Sequence, residues 1–447
     1  MAWRFLKSPG STCRRDHRYD SLVAVTDAGA PLDALSATPG PVTRGSVARV
    51  GAATAISALC GYTVLYLAAR ALDPAGFSVF GVFWGAFGLV TGAANGLLQE
   101  ATREVRSARQ PTGPAPTGPA PTSRPMRIAA GVAVAAALMI AGTAPLWASH
   151  VFAGARSLSV VLLSIGLAGF CLHATLLGML AGVGSWTLYG SLMVTDAVIR
   201  VLIAVAAFSL GWGLSGFLWA TVGGAAAWLM ILAFSSGART AAAVRSGVGV
   251  ADFLRGAAHS VAAAGASAIL VMGFPVLLKA TSGDLGAAGG VVILAVTLTR
   301  APLLVPLTAM QGNLIAYFVD HRFTRLRALL VPAAAVLALG VAGVAAAGSV
   351  GPWLIRAAFG AQYAAGGALL AWLTAAATAV ALLTLTGAAT VAAALHRWYA
   401  LGWVGATVVA ALLLTLPLDL PTRTVVALLC GPLVGVAVHL IALHGAR

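Results

Sequence analysis

The run Ile128 to Trp147, IAAGVAVAAALMIAGTAPLW, decides the fold, because it holds twenty residues without a charge. An α-helix needs roughly that many residues to cross the hydrocarbon core of a bilayer. Working outward, eleven comparable runs flank it: Val50 to Ala69, Phe77 to Leu98, Leu158 to Val183, Leu188 to Leu210, Leu214 to Phe234, Ala257 to Leu278, Leu285 to Leu307, Leu329 to Ala347, Ala368 to Ala393, Trp398 to Leu416 and Val425 to Leu443. The composition agrees, with 60% of the 447 residues hydrophobic, 9% charged and a mean hydropathy of +0.94. A soluble domain carries roughly a quarter charged residues. The chain therefore reads as an all-α polytopic membrane protein of about twelve transmembrane helices, rich in the Gly and Ala that let helices approach closely.

Four regions follow from the same reading. Residues 1–46 are polar, basic and rich in Gly, Pro, Ser and Thr, without the apolar core of a cleavable signal, and are expected to form a disordered cytoplasmic tail. Residues 47–234 hold six spans, with a Pro-rich loop at 100–127 whose PTGPAPTGPAPT stretch, Pro111 to Thr122, favours extended spacer geometry over helix. Residues 235–256 link this half to a second set of six spans at 257–443. Cys13, Cys60, Cys171 and Cys430 are scattered, so neither a disulfide frame nor a metal site is indicated.

A net charge of +15 would suggest nucleic acid in a soluble protein, but here its placement assigns it to topology. Counting the N-terminus and every second loop, 20 Lys and Arg fall on one side of the membrane and 5 on the other. The positive-inside rule puts both termini in the cytoplasm. Arg322, Arg325 and Arg327 can in addition touch anionic headgroups. No nucleic-acid partner is expected.

The two halves repeat. Pro145 and Phe152 reappear as Pro352 and Phe359, Tyr189 as Tyr399, and Gly76 as Gly286, at offsets of 207 to 210 residues. Six spans per half is an even number, so both halves point the same way, as parallel repeats related by an axis along the membrane normal. Proteins so built bind their substrate at the midplane between the halves, in a central cavity.

Charge at membrane depth is costly and marks candidate sites. Arg300 lies in the middle of the eighth span, ahead of Pro302 and Pro306 and without a carboxylate in its own span. Asp196 and Arg200, four apart, share one helix face and are expected to form an ion pair or a gate. Arg70 and Lys279 end the first and seventh spans at near-equivalent positions of the two halves. His173 and His259 read as packing residues. The loops opposite the termini are short and hold few acids, which argues against a membrane glycosyltransferase or polymerase. No catalytic residue, cofactor or metal is expected.

Four stretches resemble the polysaccharide flippases of the multidrug/oligosaccharidyl-lipid/polysaccharide exporter superfamily: LAARALDPAGFSVFGVFWG (Leu67 to Gly85), LLGMLAGVGSWTLYG (Leu176 to Gly190), TRAPLLVPLTAMQGNL (Thr299 to Leu314) and PWLIRAAFGAQY (Pro352 to Tyr363). The resemblance implies two six-helix bundles around a V-shaped cavity, alternating access, and a polyprenyl-linked glycan as cargo. It also implies a cavity arginine suited to a phosphate or diphosphate, for which Arg300 is the best match, with Arg70 and Lys279 as further substrate-binding candidates. The reading is a flippase for an anionic lipid-linked saccharide in the bacterial cytoplasmic membrane, serving cell-envelope polysaccharide synthesis. A cation-coupled small-molecule exporter is the alternative. A scaffold for glycan-synthesis enzymes, which are candidate partners beside membrane lipids, is a third reading.

Overall fold

The computed structural model describes residues 44–109, 122–152, 154–321 and 324–445. The N-terminal tail, the core of the Pro-rich spacer and Arg322 lie outside them. In the first half, α1 (Arg44–Ala71), α2 (Pro74–Ala108), α3 (Pro125–Val151), α4 (Arg156–Gly182) and α5 (Trp186–Ser209) each take one apolar run. The sixth run is divided into α6 (Gly213–Gly223), a 3-10 turn (Gly224–Ala226) and α7 (Ala227–Phe234), and a short α8 (Ser236–Ala243) begins the inter-bundle segment.

The second half opens with a run that is also divided, into α9 (Val250–Val271) and α10 (Phe274–Ser282). Next come α11 (Gly286–Ala309), a short α12 (Gln311–Asp320), α13 (Arg325–Ser349) and a surface helix α14 (Gly351–Phe359) followed by the 3-10 turn Ala361–Tyr363. α15 (Gly367–Ala392), α16 (His396–Leu413) and α17 (Leu420–Gly445) complete the chain. Among the described residues, eleven helices are long and apolar enough to cross a membrane. α16, of 18 residues, is less apolar than these, its first two residues being His396 and Arg397.

Local chemistry explains the boundaries. At the sharp turn between α1 and α2, Asp73 accepts a hydrogen bond from the Gly76 amide at 2.9 Å while Pro74 starts the helix. This is an acidic N-cap followed by the residue best suited to the first helical position. The break between α9 and α10 falls at Gly273, two residues before Pro275. Proline has no amide hydrogen, so the carbonyl of Val271, four residues earlier, loses its intrahelical donor.

Each half is a six-helix bundle, and α2 and α9 form the seam between them. Gly85, Gly88, Gly92 and Gly96 bring α2 against Pro275, Met272, Ala268 and the Ser260–Val261 backbone in turn. α1 instead lies along α5 in its own bundle, where Arg49 Nη1 donates to Thr187 Oγ1 at 3.0 Å. On the face that carries Asp73 further contacts cross between the bundles. Gly290 sits directly under the Pro74 carbonyl and Gly81 against Ile293. Tyr363 Oη donates to the Leu72 carbonyl at 3.0 Å. The main hydrophobic core runs through both bundles, from Phe80, Phe83 and Phe217 in the first to Leu373, Leu383 and Ala406 in the second.

Candidate functional site: two arginines at broken helices

Arg300 stands fourteen residues into α11, about 21 Å along its axis from Gly286. That is well inside a hydrocarbon core of roughly 30 Å. Its side chain is buried, with the residue 8% exposed, and it reaches across to the end of α9. Nη1 donates to the Val271 carbonyl at 3.1 Å and to the Leu270 carbonyl at 3.4 Å. The guanidinium carbon lies 5.3 Å from the centre of the Phe274 ring. The carbonyl stripped of its donor by Pro275 is thus satisfied by a cation from the neighbouring helix. Nη2 has no hydrogen-bond partner, and no ion pair to Arg300 is formed among the described residues.

The pair on α5 is built differently. Arg200 Nε donates to Asp196 Oδ2 at 2.9 Å and Nη2 to Oδ1 at 3.0 Å, a two-pronged clasp. Nη1 donates to the Thr221 carbonyl, one turn before the 3-10 segment that interrupts the sixth span. The guanidinium rests 5.4 Å from the Phe87 ring centre. Gly224 is pressed so closely on Asp196 and Arg200 that a side chain there would overlap both. His173, buried on α4 and stacked on Phe170, is the imidazole electrostatically coupled to this pair.

Arg70 and Lys279 occupy the Asp73 face and are not brought to Arg300. Arg70 is exposed at the end of α1, and Lys279 donates to the Gly283 carbonyl at the end of α10. Lys279 also lines a cleft of about 290 Å³ with Gly76, Ser78, Asp284 and Gly286 at the bundle boundary. Roughly 20 Å of helix separates this level from Arg300.

One cluster has no counterpart in the sequence reading. Glu100 and Glu104, both buried, share Arg103, whose Nη2 is 2.6 Å from an oxygen of each. Gly256 of α9 faces Glu100 so closely that no side chain fits between them. The sequence signal is QEATREVR, Gln99 to Arg106, where two acids four apart fall on one helix face at the end of an apolar run. α2 has 35 residues and extends about 52 Å, so Glu100, about 39 Å from Pro74, lies beyond the hydrocarbon core. In the second bundle His439 is fully buried with both ring nitrogens engaged, Nδ1 with Thr386 Oγ1 at 3.0 Å and Nε2 with the Tyr399 carbonyl at 3.2 Å. Among the described residues no His, Cys, Asp and Glu side chains gather into a group that could hold a metal ion.

The architecture is that of the two-bundle MATE transporters of the MOP superfamily. An inward-facing multidrug resistance MATE family transporter superposes with a TM-score of 0.66 at 14% identity, over 87% of this chain and 95% of that one. A MOP superfamily transporter from Pyrococcus furiosus, described as having a binding pocket of reverse polarity that suggests a different function, gives 0.58 at 15% identity, covering 93% and 98%. An outward-facing MATE structure gives 0.57 at 14% identity, covering 93% and 98%. The chain belongs to the same family as a set of mycobacterial relatives described as uncharacterized proteins. It is 66% identical to Mb3654 of Mycobacterium bovis over 423 residues, which is 95% of this chain and 97% of the relative. It is 62% identical to Rv1510 of Mycobacterium tuberculosis over 424 residues, 95% and 96% of the two chains. No family model matches the sequence.

Proposed function

We infer that this protein is an alternating-access transporter that turns an anionic, polyprenyl-phosphate- or diphosphate-linked saccharide across the bacterial cytoplasmic membrane, for cell-envelope polysaccharide synthesis. The observation that carries the reading is the charge balance at membrane depth. Asp196 and Arg200 neutralise each other, Glu100 and Glu104 fall beyond the core, and Arg300 remains as an uncompensated cation. A buried cation without a counter-ion favours a ligand that brings negative charge, and a guanidinium suits the two oxygens of a phosphate.

The bias of 20 to 5 basic residues supports cytoplasmic termini, which makes the Asp73 face external. The bundles then touch on the outside through Tyr363, Gly290 and Gly81, and toward the inside through Gly96 and Glu100 of α2 against α9. A cation-coupled small-molecule exporter is the second reading, favoured by the multidrug transporters that share the fold.

Purified protein in liposomes carrying a fluorescent polyprenyl-diphosphate saccharide in both leaflets separates the two. The flippase reading expects labelled lipid to become accessible to an external quencher at a rate that depends on the protein. Absence of flipping, together with uptake of a cationic dye driven by an imposed Na⁺ or H⁺ gradient, would establish the exporter instead.

A further inference from the structure

The sequence repeat Pro145–Phe152 and Pro352–Phe359 places two like segments on the Asp73 face, yet they pack in opposite senses. Phe152 turns into its own bundle, with its ring 6.0 Å from Phe83 and 5.8 Å from Trp147. Phe359 and Tyr363 turn outward from theirs and grip the α1–α2 hairpin of the other bundle. The Phe359 ring meets Tyr66 edge-on at 5.7 Å, and Tyr363 meets Phe77 edge-on at 5.7 Å.

Tyr363 is completely buried, and its hydroxyl donates to the Leu72 carbonyl, just past the end of α1, at 3.0 Å. Burial raises its phenol above the ordinary value, so the hydroxyl stays a donor. α14 carries this grip as a surface helix, with Trp353 and Leu354 turned outward and Ile355 and Phe359 inward. Behind the aromatic contacts lies the Gly81–Ile293 junction, closed to solvent, with Ile293 3% exposed.

We propose that Phe359 and Tyr363 form a one-sided latch: the second bundle alone supplies the clasp that holds the Asp73 face shut, and release of Tyr363 from Leu72 opens that face. The latch acts on the conformational equilibrium of the protein whatever the cargo, so it stands or falls independently of the saccharide reading.

The test is thiol labelling of purified full-length protein in nanodiscs, with the four native cysteines replaced and Ile293→Cys as the reporter. A second reporter, Leu162→Cys, sits fully buried within the first bundle and detects general loosening. With Tyr363 in place the reporter at 293 reacts slowly. Tyr363→Phe, which removes one hydrogen bond and keeps the ring, should speed its reaction about fivefold. Tyr363→Ala should speed it further, and Phe152→Leu, the change at the repeat counterpart, should leave it unaltered. The reporter at 162 should react at its original rate throughout. Unchanged labelling at 293 in both Tyr363 variants would overturn the latch, as would equal acceleration at 162 and 293, or acceleration by Phe152→Leu to match Tyr363→Phe. If Tyr363→Ala yields no folded protein, Tyr363→Phe alone decides.

Discussion

Arg200 and Arg300 do the same local job in the two bundles and differ in what balances them. Each reaches from one helix to a carbonyl on a neighbour whose hydrogen-bond ladder is interrupted, Thr221 for Arg200 and Val271 for Arg300. Each lays its guanidinium on a phenyl ring, Phe87 or Phe274. Arg200, however, is clasped by Asp196 one turn away, whereas Arg300 has only carbonyl dipoles and a ring face. The first arrangement is electrically complete and belongs to the architecture. The second leaves a unit charge and an unpartnered Nη2 at membrane depth, the observation on which the proposed site rests.

The largest effect that could break this contrast concerns the complete pair. Asp196→Asn leaves Arg200 uncompensated, and Arg200→Gln leaves Asp196 so; each should cost about 3 to 5 kcal/mol of stability. The double substitution should recover most of that loss. Thermal unfolding in detergent measures all three, and losses that simply add would show that the two charges do not depend on each other. At Arg300 the expected damage is chiefly to transport, beside a smaller stability loss from leaving the Val271 carbonyl without its donor. Arg300→Ala should slow flipping in liposomes by more than tenfold with folded yield within about twofold of the parent, and Arg300→Lys should restore part of it, lacking the fork that matches a phosphate. An Arg300→Ala protein that flips normally would make the two arginines equivalent after all.

The smallest effect sharpens the comparison at the rings. Phe274→Leu removes the aromatic face under a cation that has no carboxylate partner among the described residues, and should lower stability by about 1 kcal/mol beyond the loss of packing. Phe87→Leu should cost less, since Asp196 already stabilises Arg200. Equal penalties at the two sites would show that the ring does no more for Arg300 than for Arg200.

The sequence made the spans, the parity of the halves and the Asp196–Arg200 spacing legible, because each is a periodicity or a short-range distance along one helix. It did not show that the sixth and seventh runs are divided. Both are free of charged residues, so hydropathy passes over the 3-10 turn at Gly224 and over Gly273, although Pro275 implies that the Val271 carbonyl needs another donor. That the donor is Arg300, about thirty residues away, is a fact of tertiary packing. The same holds for Glu100 against Gly256 and for the opposite facing of Phe152 and Phe359, whose sequence contexts are alike. The short helices α8, α12 and α14 were absorbed into loops, being too brief to span and too polar or too interrupted to register as apolar runs.

The glycine-lined seam between α2 and α9 has a kinetic consequence. At Gly85, Gly88, Gly92 and Gly96 the surface that α2 turns to the other bundle carries no side chains. Sliding or tilting there requires no concerted change of rotamers, and glycine and alanine have no rotamer freedom to lose or regain. In an alternating-access cycle, motion along these four glycines would be limited by backbone fit and solvent drag and not by side-chain reorganisation, and resistance to switching would come from contacts elsewhere, such as the Tyr363–Leu72 hydrogen bond and its ring contacts.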